Sequence, residues 1–315
     1  MNLGLLLTMA FWQMLCLATV RMSVPILLSA VGGVYSERSG VVNLGLEGTM
    51  LAGCLAGVLG SHYLGSPWLG MMAAIVAGLV TALVFAFVTV TLAVNQVLAG
   101  TALNFLCTGL TGFFFRAIFG ITTSPVKVPA FKVMPVPLLS GIPFAGPVFF
   151  THVPLVYIAY LILPVAQFVL YRTRLGLKIR AAGEHPRALD TVGVNVFAVR
   201  YLCLLVCGAL SAMGGAVLSL GELNMFAEEM TAGRGFMAMA AVVLGKWTPF
   251  GALGAAILFG FAEAIQLRVQ ALGFRIPPEF PLMLPYVLTM VTLAGLIGRA
   301  SAPAAGGRPY VKGEK

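Results

Sequence analysis

Charged residues are scarce in this chain. Only 9% of its 315 residues are charged and 60% are hydrophobic, whereas an ordinary soluble domain carries about 25% charged residues. Apolar stretches of about 20 residues recur along the whole length, each long enough to cross a hydrocarbon core of about 30 Å as a helix. The sequence therefore excludes a soluble globular protein and predicts an integral membrane protein.

Residues that serve as nucleophiles or metal ligands are also few. The three histidines lie in different loops, at positions 62, 152 and 185, and the five cysteines lie in apolar segments without CxxC spacing, at positions 16, 54, 107, 203 and 207. A membrane-embedded enzyme would need acid, base or metal groups at one membrane depth, and this scatter offers none. We therefore expect no metal, no disulfide and no catalytic residues.

Two further patterns are missing. No GxxxxGK[ST] phosphate-binding loop occurs anywhere, so the chain is not expected to bind ATP itself. The first residues lack a basic stretch, since the first Arg is Arg21, and we expect no signal peptide.

Pro, Gly and charged residues divide the apolar pattern into nine candidate helices. They span residues 15–34, 41–60, 68–91, 97–119, 154–171, 200–220, 235–246, 250–272 and 282–298. A short element within residues 1–14 would make ten. The seventh is too short to cross a membrane alone, so it either begins near Met225 or is a broken helix. The predicted fold is all-α, a polytopic transmembrane bundle of about nine to ten helices forming one domain over residues 1–315.

The basic residues are concentrated in two hydrophilic pieces of the chain. Residues 172–200 and the tail 299–315 hold most of the excess behind the net charge of +9. Cytoplasmic loops of membrane proteins carry such an excess, so we interpret it as topology rather than nucleic-acid binding. We expect both pieces, and with them the C-terminus, in the cytoplasm. Counting crossings places residues 36–40 on the same side and the N-terminus outside, unless residues 1–14 also cross.

An internal repeat is consistent with this layout. Residues 66–82 align without gaps on residues 248–264 and are identical at six of 17 positions. Chance similarity of Ala/Gly-rich helices is the alternative. Because the matched helices are the third and the eighth, the two copies would cross in opposite directions. This predicts an inverted-topology repeat, with halves at about 15–120 and 200–298, which is a common plan among transporters.

The segment SERSGVVNLGLEG, residues 36–48, places polar groups between two apolar runs. Asn43 and Glu47 are four residues apart and would share one face of the second helix. A carboxylate near hydrocarbon is costly and normally faces a partner, a cavity or water. Either this face lines a translocation path, or Glu37, Arg38 and Glu47 form a structural ion-pair cluster. At the cytoplasmic surface, Glu37 and Arg38 need no special role.

Other polar residues fall within the predicted spans. The set is Asn95, Gln96, Asn104, Asn224, Glu263 and Gln266. Such amides suit a neutral polyhydroxy or heterocyclic solute, although interhelical hydrogen bonding explains any one of them equally well. Arg268 lies five residues after Glu263, nearly within reach of an ion pair. Glu222, Glu228 and Glu229 are expected to be solvated at the outer end of a connection.

A short helix is predicted within the basic connection, residues 173–194 (TRLGLKIRAAGEHPRALDTVGV). Pro186 can open a short helix, residues 187–192 can continue it, and Gly193 can end it. With Ala188, Leu189 and Val192 on one side and charge on the other, this helix would suit docking to a soluble partner. The alternative is an amphipathic turn on the membrane surface.

Three blocks together resemble the permease subunits of bacterial ABC importers of the simple-sugar and nucleoside class. They are SERSGVVNLGLEGTMLAG (36–53), the 173–194 connection with GALSAMGGA (208–216), and TAGRGFMAMAAVVLGKWTP (231–249). The similarity covers about residues 20–298. It is greatest to purine-nucleoside permeases and weaker to ribose and branched-chain amino-acid permeases.

The resemblance implies several roles. The chain would be half of a pore that moves nucleosides or related simple sugars inward across the cell membrane, paired with a second permease. Separate ATP-binding subunits would hold ATP and Mg²⁺, and an extracytoplasmic solute-binding protein or lipoprotein would deliver the solute. Within the region 172–196, the coupling helix would comprise Gly183, Glu184, His185, Pro186, Arg187, Ala188, Asp190 and Gly193.

We expect a solute path lined by Asn43, Glu47, Asn95, Asn104, Glu263 and Gln266. The alternative function is an ion-coupled secondary transporter of small neutral solutes, which an inverted repeat would suit equally well.

Overall fold

The structure is a computed structural model that describes residues 9–120, 126–137, 139–271 and 302–312, with the isolated positions 283, 287, 290 and 291. The helices are α1 (Met9–Arg38), α2 (Leu46–Leu64), α3 (Pro67–Ala86), α4 (Gln96–Phe119), α5 (Ala145–Phe150), α6 (Pro154–Arg172), α7 (Arg174–Glu184), α8 (Pro186–Thr191), α9 (Val196–Ala216), α10 (Arg234–Leu244) and α11 (Pro249–Ala271). Two π-helical turns, Phe87–Thr91 and Val217–Glu222, continue α3 and α9. A short antiparallel pair joins β1 (Met134–Pro135) to β2 (Thr151–His152).

Six of the described helices are long and apolar enough to cross a membrane. They are α1, α3 with its π-helical turn, α4, α6, α9 with its π-helical turn, and α11. Helix α10 is apolar but has only 11 residues. The prediction of an all-α polytopic membrane protein is confirmed.

The helix boundaries differ from the predicted ones at informative places. Residues 9–14 are the first turns of α1 rather than a separate element. Helix α2 begins at Leu46 instead of residue 41, and α10 begins at Arg234 with no helical extension back to Met225. Helix α7 was not predicted, and its start is explained by Thr173, whose hydroxyl accepts a hydrogen bond from the Gly176 amide. The predicted helix 282–298 lies outside the described residues.

Small residues bring α9 into direct backbone contact with three other helices. It packs against α1, α2 and α3, and a Cβ added to Gly215 would collide with the Met50 carbonyl of α2. Gly208 of α9 and Gly78 of α3 leave each other no room for a side chain. Close approach of this kind drives helix association in membranes, where the hydrophobic effect between helices is absent.

The outward faces of α3 and α4 are apolar. Met72, Val76, Phe105 and Phe113 are all more than half exposed, which a soluble protein would avoid. In α4 most apolar side chains point away from the rest of the chain. These helices therefore present their side chains to lipid or to another membrane subunit.

The two helices that carry the predicted repeat both begin at a proline. Pro67 opens α3 and Pro249 opens α11. Helix α3 packs against α2 and α9, whereas α11 packs against α1 and α10. Their opposite crossing directions stay a prediction.

We expect the substitution Gly208→Ala to lower the stability of the fold. The new methyl group would strike the Gly78 carbonyl, and overpacking of this kind costs about 1–3 kcal/mol. Gly109→Ala is the matched control, because a Cβ at Gly109 in α4 meets nothing within 4 Å. Thermal unfolding of the purified protein in detergent measures both variants. Equal midpoints for the two would contradict the importance of the α3–α9 contact.

Candidate functional site

The 36–48 segment joins α1 to α2 through a stretch without helical structure. Gly40 has a φ of +92°, a conformation that favours glycine, and the chain is non-helical until α2 begins at Leu46. The Asn43 side chain accepts a hydrogen bond from the Gly45 amide at 2.8 Å and donates one to the Cys207 sulfur at 3.6 Å. The prediction that Asn43 shares a helical face with Glu47 is wrong, because this side chain stabilises a turn that delays the helix.

Glu47 binds the beginning of α10. One carboxylate oxygen accepts from the Gly233 amide at 2.9 Å and the other from the Gly235 amide at 2.6 Å. The first amides of a helix have no partner within the helix and carry partial positive charge. The carboxylate satisfies two of them, and no Cβ would fit at Gly235 beside it. Glu47 thus fixes where α10 begins relative to α2.

The other end of α10 is bound by the same segment. The Trp247 indole donates to a Glu37 carboxylate oxygen at 2.5 Å, and the Arg38 guanidinium donates to the carbonyls of Trp247 at 2.8 Å and Lys246 at 3.3 Å. Glu37 is buried. The expectation that Glu37 and Arg38 have no special role is therefore wrong. Nor do they form the predicted ion-pair cluster with Glu47, since each binds a different group of the 231–249 block.

Glu263 has a partner that its own helix does not supply. Arg234, the first residue of α10, lies 3.3 Å from the Glu263 carboxylate of α11, and both side chains are largely buried, at 17% and 10% exposure. Sequence spacing indicated only that Arg268 of α11 is nearly within reach of Glu263. The ion pair links the start of α10 to α11 and compensates a charge that is costly in a membrane interior. Gln266 is half-buried nearby along α11.

Two amides of α4 bind the 36–48 segment. The Asn104 side chain accepts from the Gly48 amide at 2.8 Å and donates to the Leu44 carbonyl at 2.9 Å. The Gln96 side-chain oxygen accepts from the Val42 amide at 2.7 Å. Gln96 appeared in sequence only as one of several polar residues, and its contact here could not be inferred from the sequence. Together these bonds attach α4 to the turn before α2.

Asn95 has a different environment from the other predicted path residues. Its exposed side chain caps α4 by accepting from the Val97 amide at 2.9 Å. The structure therefore groups Asn43, Glu47 and Asn104 around one turn. Glu263 is linked to them through the start of α10, because Arg234 lies between the two glycines whose amides bind Glu47. Asn95 and Gln266 lie outside this hydrogen-bonded group. Among the described residues, no three His, Cys, Asp or Glu side chains are placed to hold a metal ion.

Of the three glutamates expected to be solvated, Glu222 departs from that expectation. One carboxylate oxygen of Glu222 is buried and has no hydrogen-bond partner in the described part of the chain. Glu228 is exposed and forms an ion pair with Arg116 at 2.6 Å. The two hydrogen bonds from the Arg116 guanidinium to the Glu228 carboxylate hold the pKa of Glu228 below its ordinary value. Glu229 is exposed as expected.

The basic connection contains the short helix that the sequence predicted. Helix α8 begins at Pro186, and Gly193 follows it with a φ of +81°. Arg187 and Ala188 are exposed, whereas Leu189 is buried at 7% exposure. The expected apolar side of α8 is therefore divided, since Leu189 anchors the helix and Ala188 and Val192 face outward.

The residues before α8 are held in place. A Cβ at Gly183 would collide with the Arg38 carbonyl, so this glycine permits α7 to touch the end of α1. The Glu184 carboxylate accepts from the Ala304 amide at 3.2 Å. His185 is exposed at the junction of α7 and α8. The predicted coupling residues thus lie next to one another, and Gly183 at their beginning contacts the 36–48 segment.

We expect Glu47→Gln to lower the stability of the protein. An amide NH₂ would then oppose one of the two backbone amides, and loss of a charge-assisted hydrogen bond costs about 1.5–3 kcal/mol. Glu229→Gln, at an exposed side chain, is the control. Thermal unfolding in detergent should show a lower midpoint for Glu47→Gln alone. An unchanged midpoint would mean that the carboxylate does not stabilise the start of α10.

Known proteins of similar sequence are membrane permeases. Residues 15–293 match a family described as the permease component of the branched-chain amino acid transport system. The chain is 41% identical to the guanosine ABC transporter permease protein NupQ of Bacillus subtilis, over 95% of this chain and 96% of that protein. It is 36% identical to the nucleoside ABC transporter permease protein NupC of Lactococcus lactis, over 92% and 94%.

A third relative is named for a sugar. The putative glucose ABC transporter permease protein TsgC13 of Haloferax volcanii is 41% identical over 87% of this chain and 83% of its own length. Each of these three organisms also has a second, more distant permease relative, at 24–25% identity. No solved structure matches the chain. Because one family model spans nearly the whole sequence and relatives align from end to end, the chain belongs to the family of branched-chain amino acid transport system permease components.

Proposed function

We propose that this permease is the transmembrane subunit of an ATP-binding-cassette importer that moves purine nucleosides, or related nucleosides and simple sugars, into the cytoplasm. The observation that carries the proposal is the 41% identity to a guanosine permease over 95% of the chain. A nucleoside permease and a putative glucose permease at similar identity are consistent with a ribose-containing solute, which combines a sugar with a base.

ATP is bound and hydrolysed by separate subunits in this proposal. The sequence contains no GxxxxGK[ST] loop, and ABC permease relatives are transport components. A second permease completes the pore, in keeping with the two permease relatives found in each of three organisms. An extracytoplasmic binding protein or lipoprotein supplies the solute. The C-terminal tail and α8 face the cytoplasm, as their basic residues favour.

The exposed side of α8 is the proposed contact for the ATP-binding subunit. Arg187 and Ala188 point outward while Leu189 is buried beneath them. The helix follows α7, whose Gly183 touches the end of α1. A force applied to α8 therefore has a short route to the 36–48 segment and from there to α10.

The proposed solute path follows the polar groups where α2, α4, α10 and α11 meet. Asn43, Glu47 and Asn104 surround the turn before α2, and Glu263 lies beyond Arg234. Most of their polar atoms are already bonded within the chain, which supports a role in shaping the path more than in direct solute contact. Asn95 and Gln266 are proposed as path residues on position along α4 and α11 alone.

Uptake into proteoliposomes tests the function. The permease is reconstituted with its second permease and its ATP-binding subunit, with the solute-binding protein outside, and labelled guanosine is offered. ATP-dependent uptake that unlabelled adenosine competes with and ribose does not would support a nucleoside importer. Uptake driven by an ion gradient without nucleotide would instead indicate a secondary transporter, and uptake of ribose or glucose alone would revise the solute.

We expect Ala188→Glu to reduce ATP-dependent uptake roughly tenfold or more, because a bulky charge on the exposed side of α8 would disturb a docking surface. Ala188 is exposed, so folding should be preserved, whereas any side chain at Gly183 would strain the α1–α7 contact. Lys132→Glu, an exposed change in the loop between α4 and α5, is the control. Membrane abundance and thermal midpoint are measured alongside uptake. Normal uptake by Ala188→Glu would exclude α8 from coupling.

A further inference from the structure

A cavity lies between α8 and the C-terminal segment 302–312. Its volume is about 600 Å³, and it is open to the surface. One wall is formed by α8 and the residues just before it, the opposite wall by the C-terminal segment, and Arg200 of α9 also lines it. Its lining includes the charged residues Glu184, Arg187, Arg200 and Arg308 and the aromatic residue Tyr310.

Backbone hydrogen bonds fix the C-terminal segment against the core. The Ala305 amide donates to the Gly183 carbonyl at 2.8 Å, and the Gly307 amide donates to the Gly40 carbonyl at 3.2 Å. The segment therefore contacts both the end of α7 and the 36–48 segment. It is therefore attached to the rest of the chain and forms part of the surface around α8.

Arg200 joins the same two parts of the molecule from within. It is 1% exposed, and it donates to the Ser39 carbonyl at 3.2 Å and to the Arg308 carbonyl at 3.3 Å. The Tyr310 ring lies over its guanidinium, with 6.0 Å between the guanidinium carbon and the ring centroid, a cation–π geometry. The Phe197 ring also packs against Tyr310, with 5.7 Å between the two ring centroids.

The cavity carries an excess of positive charge. Arg187, Arg200 and Arg308 line it, against one acidic side chain, Glu184, whose oxygen already accepts from the Ala304 amide. Within the described residues Arg200 has no ion-pair partner, and its Nη2 atom is buried without a hydrogen-bond acceptor. A concave site lined by one sign of charge attracts groups of the opposite sign.

The outer rim of the cavity is also rich in basic side chains. Lys312 lies 3.8 Å from Asp190 of α8, and its side chain is 72% exposed. The Arg187 and Arg308 side chains are also exposed. An exposed pair at this distance binds weakly, so Lys312 is available to a competing carboxylate. The complementary surface on a partner is therefore acidic.

We infer that the C-terminal segment 302–312 and α8 form one docking surface for the ATP-binding subunit, and that this subunit places an acidic side chain in the cavity between them. The inference rests on the proposed function, which assigns α8 to that subunit. It adds a second point of attachment, because the C-terminal segment is bonded to Gly40 and, through Arg200, to Ser39. Movement of the docked subunit then reaches the 36–48 segment by two routes, one through α7 and one through the C-terminal segment.

Binding of the purified ATP-binding subunit to the permease pair in nanodiscs tests the inference. We expect Arg308→Glu and Arg187→Glu each to raise the dissociation constant roughly tenfold at low salt and to flatten its dependence on salt, because complementary charge sets both. Lys178→Glu on the exposed face of α7 is the matched control, with the same charge change outside the cavity. A charge-reversed Asp or Glu→Lys variant of the subunit that restores binding to Arg308→Glu would identify the acidic side chain.

Removal of residues 302–315 provides a second variant. It should weaken subunit binding at least as much as Arg308→Glu, with the thermal midpoint reported to establish that the remaining chain is folded. Unchanged affinity of Arg308→Glu would overturn the inference even if the truncated protein fails to fold. A loss for Arg308→Glu that appears only in nanodiscs containing phosphatidylglycerol, and not in neutral ones, would also overturn it, because the cavity would then bind a lipid phosphate.

These outcomes are distinct from failure of the proposed function. If the unaltered permease pair binds no ATP-binding subunit, the proposed function itself fails. If it binds the subunit and the Arg308 variant binds equally well while the Arg187 variant is weakened, only the role of the C-terminal segment fails.

Discussion

The position of α10 depends on carboxylate and guanidinium groups from the 36–48 segment. Glu47 binds the amides at its beginning, and Glu37 and Arg38 bind the residues that follow its end. With only 11 residues, α10 is too short to be held by span length and apolar packing alone. In a medium of low dielectric constant these bonds are stronger than in water, and leaving any one of the groups unpaired is costly. The ion pair from Arg234 to Glu263 adds an attachment of α10 to α11.

The packing around α9 provides the frame on which this arrangement stands. Glycines at Gly208 and Gly215 let α9 meet α3 and α2 at backbone distance, and α1 packs along the same helix. The 36–48 segment connects α1 to α2, two helices fixed by that frame. Glu37, Arg38 and Glu47 of that segment are directed at α10 and the residues that flank it. Hydrogen bonds from Gln96 and Asn104 of α4 stiffen the segment from the opposite side.

Much of this fold could be predicted from apolar runs and helix-breaking residues. The starts of α3 and α11 were indicated by Pro67 and Pro249, and the short helix α8 by Pro186 and Gly193. Helix α7 was missed because it has many charged residues and few apolar ones, although Ile179 and Ala182 form a buried face. The late start of α2 was missed because the turn depends on the Asn43 side chain, whose orientation is not encoded in residue spacing.

The candidate site was only partly predictable for a related reason. Sequence identified Glu47, Asn104 and Glu263 as unusual because they are polar within apolar stretches. It did not identify their partners, since the groups that bind Glu37 and Glu47 lie 186 to 210 residues further along the chain. Pairings at that separation are decided by which helices pack together, and helical periodicity carries no information about them.

The turn between α10 and α11 holds stored conformational energy. Lys246 and Trp247 are consecutive non-glycine residues that both have a φ of +54°, a left-handed conformation that costs about 1–2 kcal/mol per residue. The Arg38 guanidinium donates hydrogen bonds to the carbonyls of these same two residues, and these bonds offset part of that conformational cost. Because this turn sets the direction in which α11 leaves α10, the angle between the two helices depends on a side chain from the end of α1. Arg38 thus connects the end of α1 to the relative orientation of α10 and α11.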